Sequence, residues 1–258
     1  MNNLTPEQVI TYLRRLGIKA PGPPTLATLN ALHVAHQQRL PFENLDIHLG
    51  RPIILNLSEI AGKVLNSGRG GYCYELNTLF AALLRSLGYG VELLSARVMG
   101  PTGTPGPEFD HLALRVTSPE FSGAYLVDVG FGDAFLEPLP LQNGFTRQQG
   151  QKILRLEQHG ERWTYLEDRG EGVQPQYDFT LTPRQLDEFK EMNHWQQTAP
   201  ESHFTQNRIC SIATLTGRIS LSGNRLITTE HGVRYEQTLN DNEIDDVLNQ
   251  SFGVVTFL

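Results

Sequence analysis

Cysteine is scarce in this chain. Two residues in 258, Cys73 and Cys210, cannot build a disulfide framework and point to a reducing compartment, read here as the cytoplasm. Long apolar runs are missing, so no segment reaches membrane-spanning length, and the amino terminus begins polar, without the apolar core of a signal peptide. Basic residues are in deficit: 21 Lys and Arg stand against 28 Asp and Glu, a formal charge of −7, and no basic block offsets it. A nucleic-acid surface is therefore not expected. There is no Walker sequence, no dinucleotide fingerprint, no repeat and no low-complexity tract. His33 and His36 could share one helix face, but with no Cys or carboxylate ligand near them in sequence they do not amount to a metal site. The hydrophobic content of 39% is ordinary and suffices for one large domain or two to three small ones.

What is present changes character along the chain. The first third reads as helical. Thr5-Pro6-Glu7 supplies an N-cap and a proline at the first position, and Val9, Ile10, Tyr12, Leu13 and Leu16 lead to Gly17. A second helix follows Thr25 and runs to Leu40-Pro41. A third starts at Cys73, where Leu76, Leu79, Phe80, Leu83, Leu84 and Leu87 recur at three- and four-residue steps before Gly88. From Val91 the period shifts to two, giving strands over Val91–Val98, His111–Val116, Tyr125–Gly130, Lys152–Leu156 and Arg162–Leu166, with a Gly- and Pro-rich loop from Gly100 to Pro107. A short helical stretch near Pro183–Asn193 leads to strands at Arg208–Ile212, Arg218–Leu221 and Arg225–Thr228, closed by Asp241–Phe252.

Cys73 follows the turn Gly68-Arg69-Gly70-Gly71 and falls in the first turn of its helix. Unpaired N–H groups and the positive end of the helix dipole there favour a thiolate, so a lowered thiol pKa is expected. A nucleophile needs a base. His111 stands at the start of one strand, and Asp128 interrupts another that is otherwise apolar. A buried carboxylate requires a partner, and an imidazole supplies one. Cys73, His111 and Asp128 thus offer a thiol, a base and a residue that orients the base, in separate segments that the fold must converge.

The residues then carry a family resemblance. Pro41-Phe-Glu-Asn-Leu45, Arg69-Gly-Gly-Tyr-Cys-Tyr-Glu-Leu-Asn77, Asp110-His111 and Val127-Asp-Val-Gly-Phe-Gly132 resemble, in order, the motifs of the arylamine N-acetyltransferases. The resemblance implies an α+β fold: a helical bundle over 1–90, a β-barrel with an interdomain helix over 91–200 and an α/β lid over 201–258, with a site like that of papain and transglutaminases. It implies that Cys73 accepts an acyl group, His111 is its base and Asp128 orients His111. Acetyl-coenzyme A would be the donor substrate, with no tightly bound cofactor and no metal, and aromatic amines, hydrazines or N-hydroxyarylamines the acceptors. It places Phe42, Phe131 and Phe204 along the acceptor. Gly130 and Gly132, which let a ligand approach the backbone closely, are expected with Thr104 to meet coenzyme A. Glu43 and Arg69 are expected to meet as a buried ion pair. A macrocycle-forming amide synthase of the same family would share these motifs, and a cysteine hydrolase of the papain or transglutaminase type would share the triad and use water as acceptor.

Overall fold

Thr5 is extended and its hydroxyl accepts the Gln8 N–H, so helix α1 (Pro6–Leu16) starts capped and ends where Gly17 turns left-handed at φ 76°. The computed structural model describes residues 3–256. Helix α2 (Leu26–Arg39) follows, then the two-residue strand β1 (Phe42–Glu43), the single turn α3 (Leu45–His48), and α4 (Leu57–Ala61), which runs into a π-helical turn over Gly62–Asn66. Helix α5 (Cys73–Ser86) is the centre of this region, with every residue from Cys73 to Leu84 buried. Its Leu76, Leu79, Phe80, Leu83 and Leu84 are fully inaccessible and contribute roughly 1.5–3 kcal/mol each from burial.

The eight strands of the middle region are β2 (Gly90–Val98), β3 (His111–Ser118), β4 (Phe121–Val127), β5 (Leu139–Pro140), β6 (Phe145–Gln149), β7 (Lys152–His159), β8 (Arg162–Asp168) and β9 (Val173–Thr180). They form one antiparallel sheet in the order β5-β4-β3-β2-β9-β8-β7-β6, curled into a nearly closed barrel. Strand β3 is a wall between two cores. Leu112, Leu114 and Val116 pack with α5, while Ala113 faces the barrel interior with Leu94, Leu126, Tyr165 and Phe179. This two-sided burial sets the alternation of β3 and brings its first residue, His111, to the helix–barrel boundary.

A 3₁₀ turn (Leu186–Phe189) continues into α6 (Lys190–Thr198) and the short α7 (His203–Gln206), so this helical stretch runs beyond Asn193. The strands β10 (Ile209–Ala213), β11 (Gly217–Ser222), β12 (Arg225–Glu230) and β13 (Val233–Thr238) then form a second antiparallel sheet, against which α8 (Asp241–Phe252) lays Ile244, Leu248 and Phe252. Strand β1, from the helical region, is this sheet's first strand, pairing Phe42 with Ser211 and Glu43 with Cys210. The α+β architecture of bundle, barrel and lid is the one expected. No helix among the described residues is long and apolar enough to cross a membrane.

One strand boundary differs from the alternation. Strand β4 stops at Val127, and Asp128 lies outside it. Its N–H leaves the ladder for His33 Nε2 at 3.2 Å, and its carboxylate turns back to accept Gly130 N–H at 2.9 Å.

Candidate active site

The loop before Cys73 has no room for a side chain at Gly70 or Gly71. A Cβ on Gly70 would lie 2.0 Å from the Pro41 carbonyl oxygen, so only glycine lets this loop lie against the start of β1. Helix α5 then begins with Glu75 accepting the Tyr72 N–H at 3.1 Å. Glu43 donates its own N–H to Gly71 at 2.9 Å and its carboxylate takes two bonds of 3.0 Å from Arg69. The expected buried ion pair is therefore present, and it is part of a larger group. Asp46 accepts from Arg69 at 3.0 Å and from Lys63 at 2.8 Å, and Lys63 also reaches Glu75 at 2.9 Å.

On the other side of Cys73 the turn after β4 presses on the helix. A Cβ on Gly130 would come within 2.7 Å of both Cys73 Cα and Asn77 Nδ2. His111 Nε2 donates to Asp128 Oδ2 at 2.7 Å, both residues being buried. Asp128 Oδ1 accepts from Asn77 Nδ2 and from Gly130 N–H, each at 2.9 Å. Burial alone would raise the Asp128 carboxyl, but the charge and hydrogen bond of His111, with the bonds of Asn77 and Gly130, hold it below the usual carboxylate range. It stays ionised and fixes the imidazole with Nε2 protonated, which leaves Nδ1 available.

Cys73 departs from the expectation of a lowered pKa. Burial pushes the thiol well up, Asp110 and Asp128 add to that, and the amides of Leu112 and Tyr74 offset it only in part. The helix terminus is outweighed by the cost of an anion in a dry site beside two carboxylates.

Three residues to which the sequence reading gave no part in the site surround this cluster. Asn77, one helical turn beyond Cys73, also donates to the Leu112 carbonyl at 2.6 Å and accepts Val129 N–H at 2.9 Å, joining α5 to β3 and to the Asp128 turn. Its four-residue spacing from Cys73 was the available signal. His33 on α2 takes the Asp128 N–H at Nε2 and gives its Nδ1–H to the Leu136 carbonyl at 2.7 Å, while Gln37 binds the Phe135 carbonyl at 2.7 Å. Both ends of the turn from Asp128 to Leu136 thus rest on α2, which accounts for His33 without any metal. Tyr177 on β9 packs on His111 with ring centroids 5.2 Å apart, and its buried hydroxyl is turned toward Asp128.

Phe131 is half-buried against the rings of His111 at 5.1 Å and Tyr177 at 4.9 Å. Phe42 and Phe204 lie together at 6.2 Å, and Phe204 sits edge-on to Tyr72 at 5.6 Å, so this pair flanks the residue before Cys73. Gly132, with φ 79°, has open space where a side chain would be. Thr104 stands apart from this cluster, exposed in the Gly100–Pro107 loop with its hydroxyl on Thr102 at 3.1 Å. Cys210 is buried in the lid core with Leu221 and Leu248.

Comparison with known proteins agrees with this arrangement. Residues 25–256 match the family described as N-acetyltransferase. The arylamine N-acetyltransferase of Mycolicibacterium smegmatis is 37% identical over 253 residues, covering 94% of this chain and 90% of that protein. A Salmonella typhimurium protein named arylamine N-acetyltransferase / N-hydroxyarylamine O-acetyltransferase is 33% identical, covering 94% of this chain and 87% of that protein. The solved structure of Mycobacterium marinum arylamine N-acetyltransferase in complex with CoA matches with a TM-score of 0.89 at 32% identity, covering 95% of this chain and 92% of that one. A bundle that presents a cysteine, a barrel that presents a histidine–aspartate pair, and relatives matched along nearly the whole length lead to one conclusion: this chain belongs to the arylamine N-acetyltransferase family.

Proposed function

We propose that this protein transfers an acetyl group from acetyl-coenzyme A to aromatic amines, hydrazines or N-hydroxyarylamines, with Cys73 as the acyl carrier. The observation that carries the reading is the buried contact between His111 and Asp128 beside the first turn of α5. Because burial disfavours a free thiolate, the proton must pass from sulfur to His111 as the nucleophile forms, and Asp128 stabilises the resulting imidazolium. The sulfur attacks the acetyl carbonyl, coenzyme A leaves as its thiol, and the acetyl group remains on Cys73 as a thioester. The amine then attacks that thioester, passes a proton to His111, and leaves acetylated while the Cys73 thiol is restored.

Phe131 lies where an aromatic acceptor would meet His111, and Phe42 with Phe204 would extend the apolar wall. Gly130, Gly132 and Thr104 are assigned to coenzyme A, the two glycines because they let its chain approach the backbone beside Asp128. Both cysteines are free and buried, which suits a reducing cytoplasm. Initial rates measured with acetyl-coenzyme A and an aniline, each varied at several levels of the other, should give parallel double-reciprocal lines. Intersecting lines would mean that both substrates must bind before any transfer.

A further inference from the structure

The lid sheet ends at β13, and all six residues of that strand are exposed, with Val233 at 53% and Tyr235 at 59% of full accessibility. Among the described residues the strand pairs with β12 alone. An open edge of this kind is a template for a further strand.

The backbone direction of each residue follows from the turn. Strands β12 and β13 are joined by His231 and Gly232, both at positive φ (49° and 82°), and the pairing starts with Glu230 opposite Val233. A two-residue turn of this type makes the flanking residues a hydrogen-bonded pair, and bonding then alternates along the strand. Val233, Tyr235 and Gln237 therefore point their N–H and C=O groups at β12, and Arg234, Glu236 and Thr238 point theirs outward. The Leu239 N–H bond to the Asn224 carbonyl at 2.8 Å continues the same alternation. Arg234 and Glu236 also share one face, where Arg234 Nε donates to Glu236 Oε1 at 2.9 Å.

We propose that β13 is a self-complementary edge that pairs antiparallel with β13 of a second copy of this chain about a two-fold axis through Tyr235. In that register the outward-facing residues oppose one another. Arg234 stands across from Glu236 of the second copy and Glu236 across from its Arg234, each pair exchanging its backbone bonds. Tyr235 meets Tyr235 on the opposite face, beside Val233 and Gln237. Centring the pairing on Arg234 sets two arginines face to face, and centring it on Glu236 sets two glutamates face to face, so charge selects the Tyr235 register. The contact is isologous and closes as a dimer rather than growing into a filament.

A single pair of edge strands falls below the usual area of a stable interface, under about 1,200 Å², so association should be weak and concentration-dependent. Sedimentation velocity of the full chain from about 1 to 500 µM covers that weak range. The wild type should shift from monomer toward dimer. Glu236→Arg, which places like charges opposite one another, should remain monomeric across the series, and the exchange Arg234→Glu with Glu236→Arg should restore the dimer. Acetyl transfer and melting temperature, unchanged in both variants, confirm that they are folded. A wild type that stays monomeric at all concentrations, or a Glu236→Arg variant that dimerises like the wild type, overturns the proposal.

Discussion

At the scale of single residues, two buried histidines couple this fold to pH. Burial lowers the His33 imidazole to about 4, and burial with the charges of His33 and Arg15 holds His36 well below its usual value. His33 is paid back by its two hydrogen bonds, whereas both nitrogens of His36 lack partners among the described residues and lie between the rings of Tyr12 and Phe80. Both folded-state values lie below the unfolded one. Their contribution to stability is therefore full above about pH 6.5 and is lost as pH falls below it, for His33 down to about 4, at roughly 1.4 kcal/mol per unit for each group. Glu75 works in the opposite sense: burial raises it to about 7, so what it contributes is lost as pH rises from about 4.5 to about 7. The clean readout is a difference. His36→Phe keeps an aromatic ring and takes no proton, so urea unfolding should show it gaining on the wild type by about 1.4 kcal/mol per unit as pH falls below 6.5. A constant difference from pH 7.5 to 5 would show that His36 is not a buried neutral group.

At the scale of elements, the decisive contact is between the turn after β4 and the first turn of α5. Gly130→Ala places a Cβ only 2.7 Å from Cys73 Cα and from Asn77 Nδ2, and the turn must lift. A shift near 1 Å in a catalytic constellation costs on the order of 10²-fold, so kcat/KM should fall about that far with the fold retained. Activity within twofold of wild type would mean the turn can yield without moving Asp128. This contact also marks how far the sequence could be read. The strong periodicities of α1, α5 and β3 announced those elements, because each buries an apolar face or stripe. Strand β9 gave no such signal: Pro175 interrupts it and is accommodated where the pairing with β8 slips beyond Tyr165. Strand β13 gave none because neither of its faces is buried. In the site, the motif cysteine, histidine and aspartate were visible as residue types. The rise in the Cys73 pKa was not, since it depends on burial and on two carboxylates brought close by folding. Nor was the clamp of His33 on the Asp128 turn, which joins residues 95 apart.

At the scale of the molecule, the bundle, barrel and lid meet around the cysteine loop, and charge helps hold them there. Glu43 lies on β1, which pairs with the lid strand β10, and its carboxylate binds Arg69 on the loop that leads into α5. Removing Glu43 takes two hydrogen bonds from the buried Arg69 and leaves it Asp46 alone among the described residues, so Glu43→Ala should lose roughly 3 kcal/mol of stability in urea unfolding, the low end for breaking a buried pair, and should lose activity with it. Unchanged melting and turnover would make the pair dispensable. All of this geometry serves one chemical claim, that Cys73 carries the acetyl group between donor and acceptor. Intact-mass spectrometry after mixing with acetyl-coenzyme A tests it most directly. The wild type should gain a single acetyl group that an aromatic amine then removes, and Cys73→Ser should gain none; an unmodified wild type, or an adduct that persists in Cys73→Ser, would contradict the account.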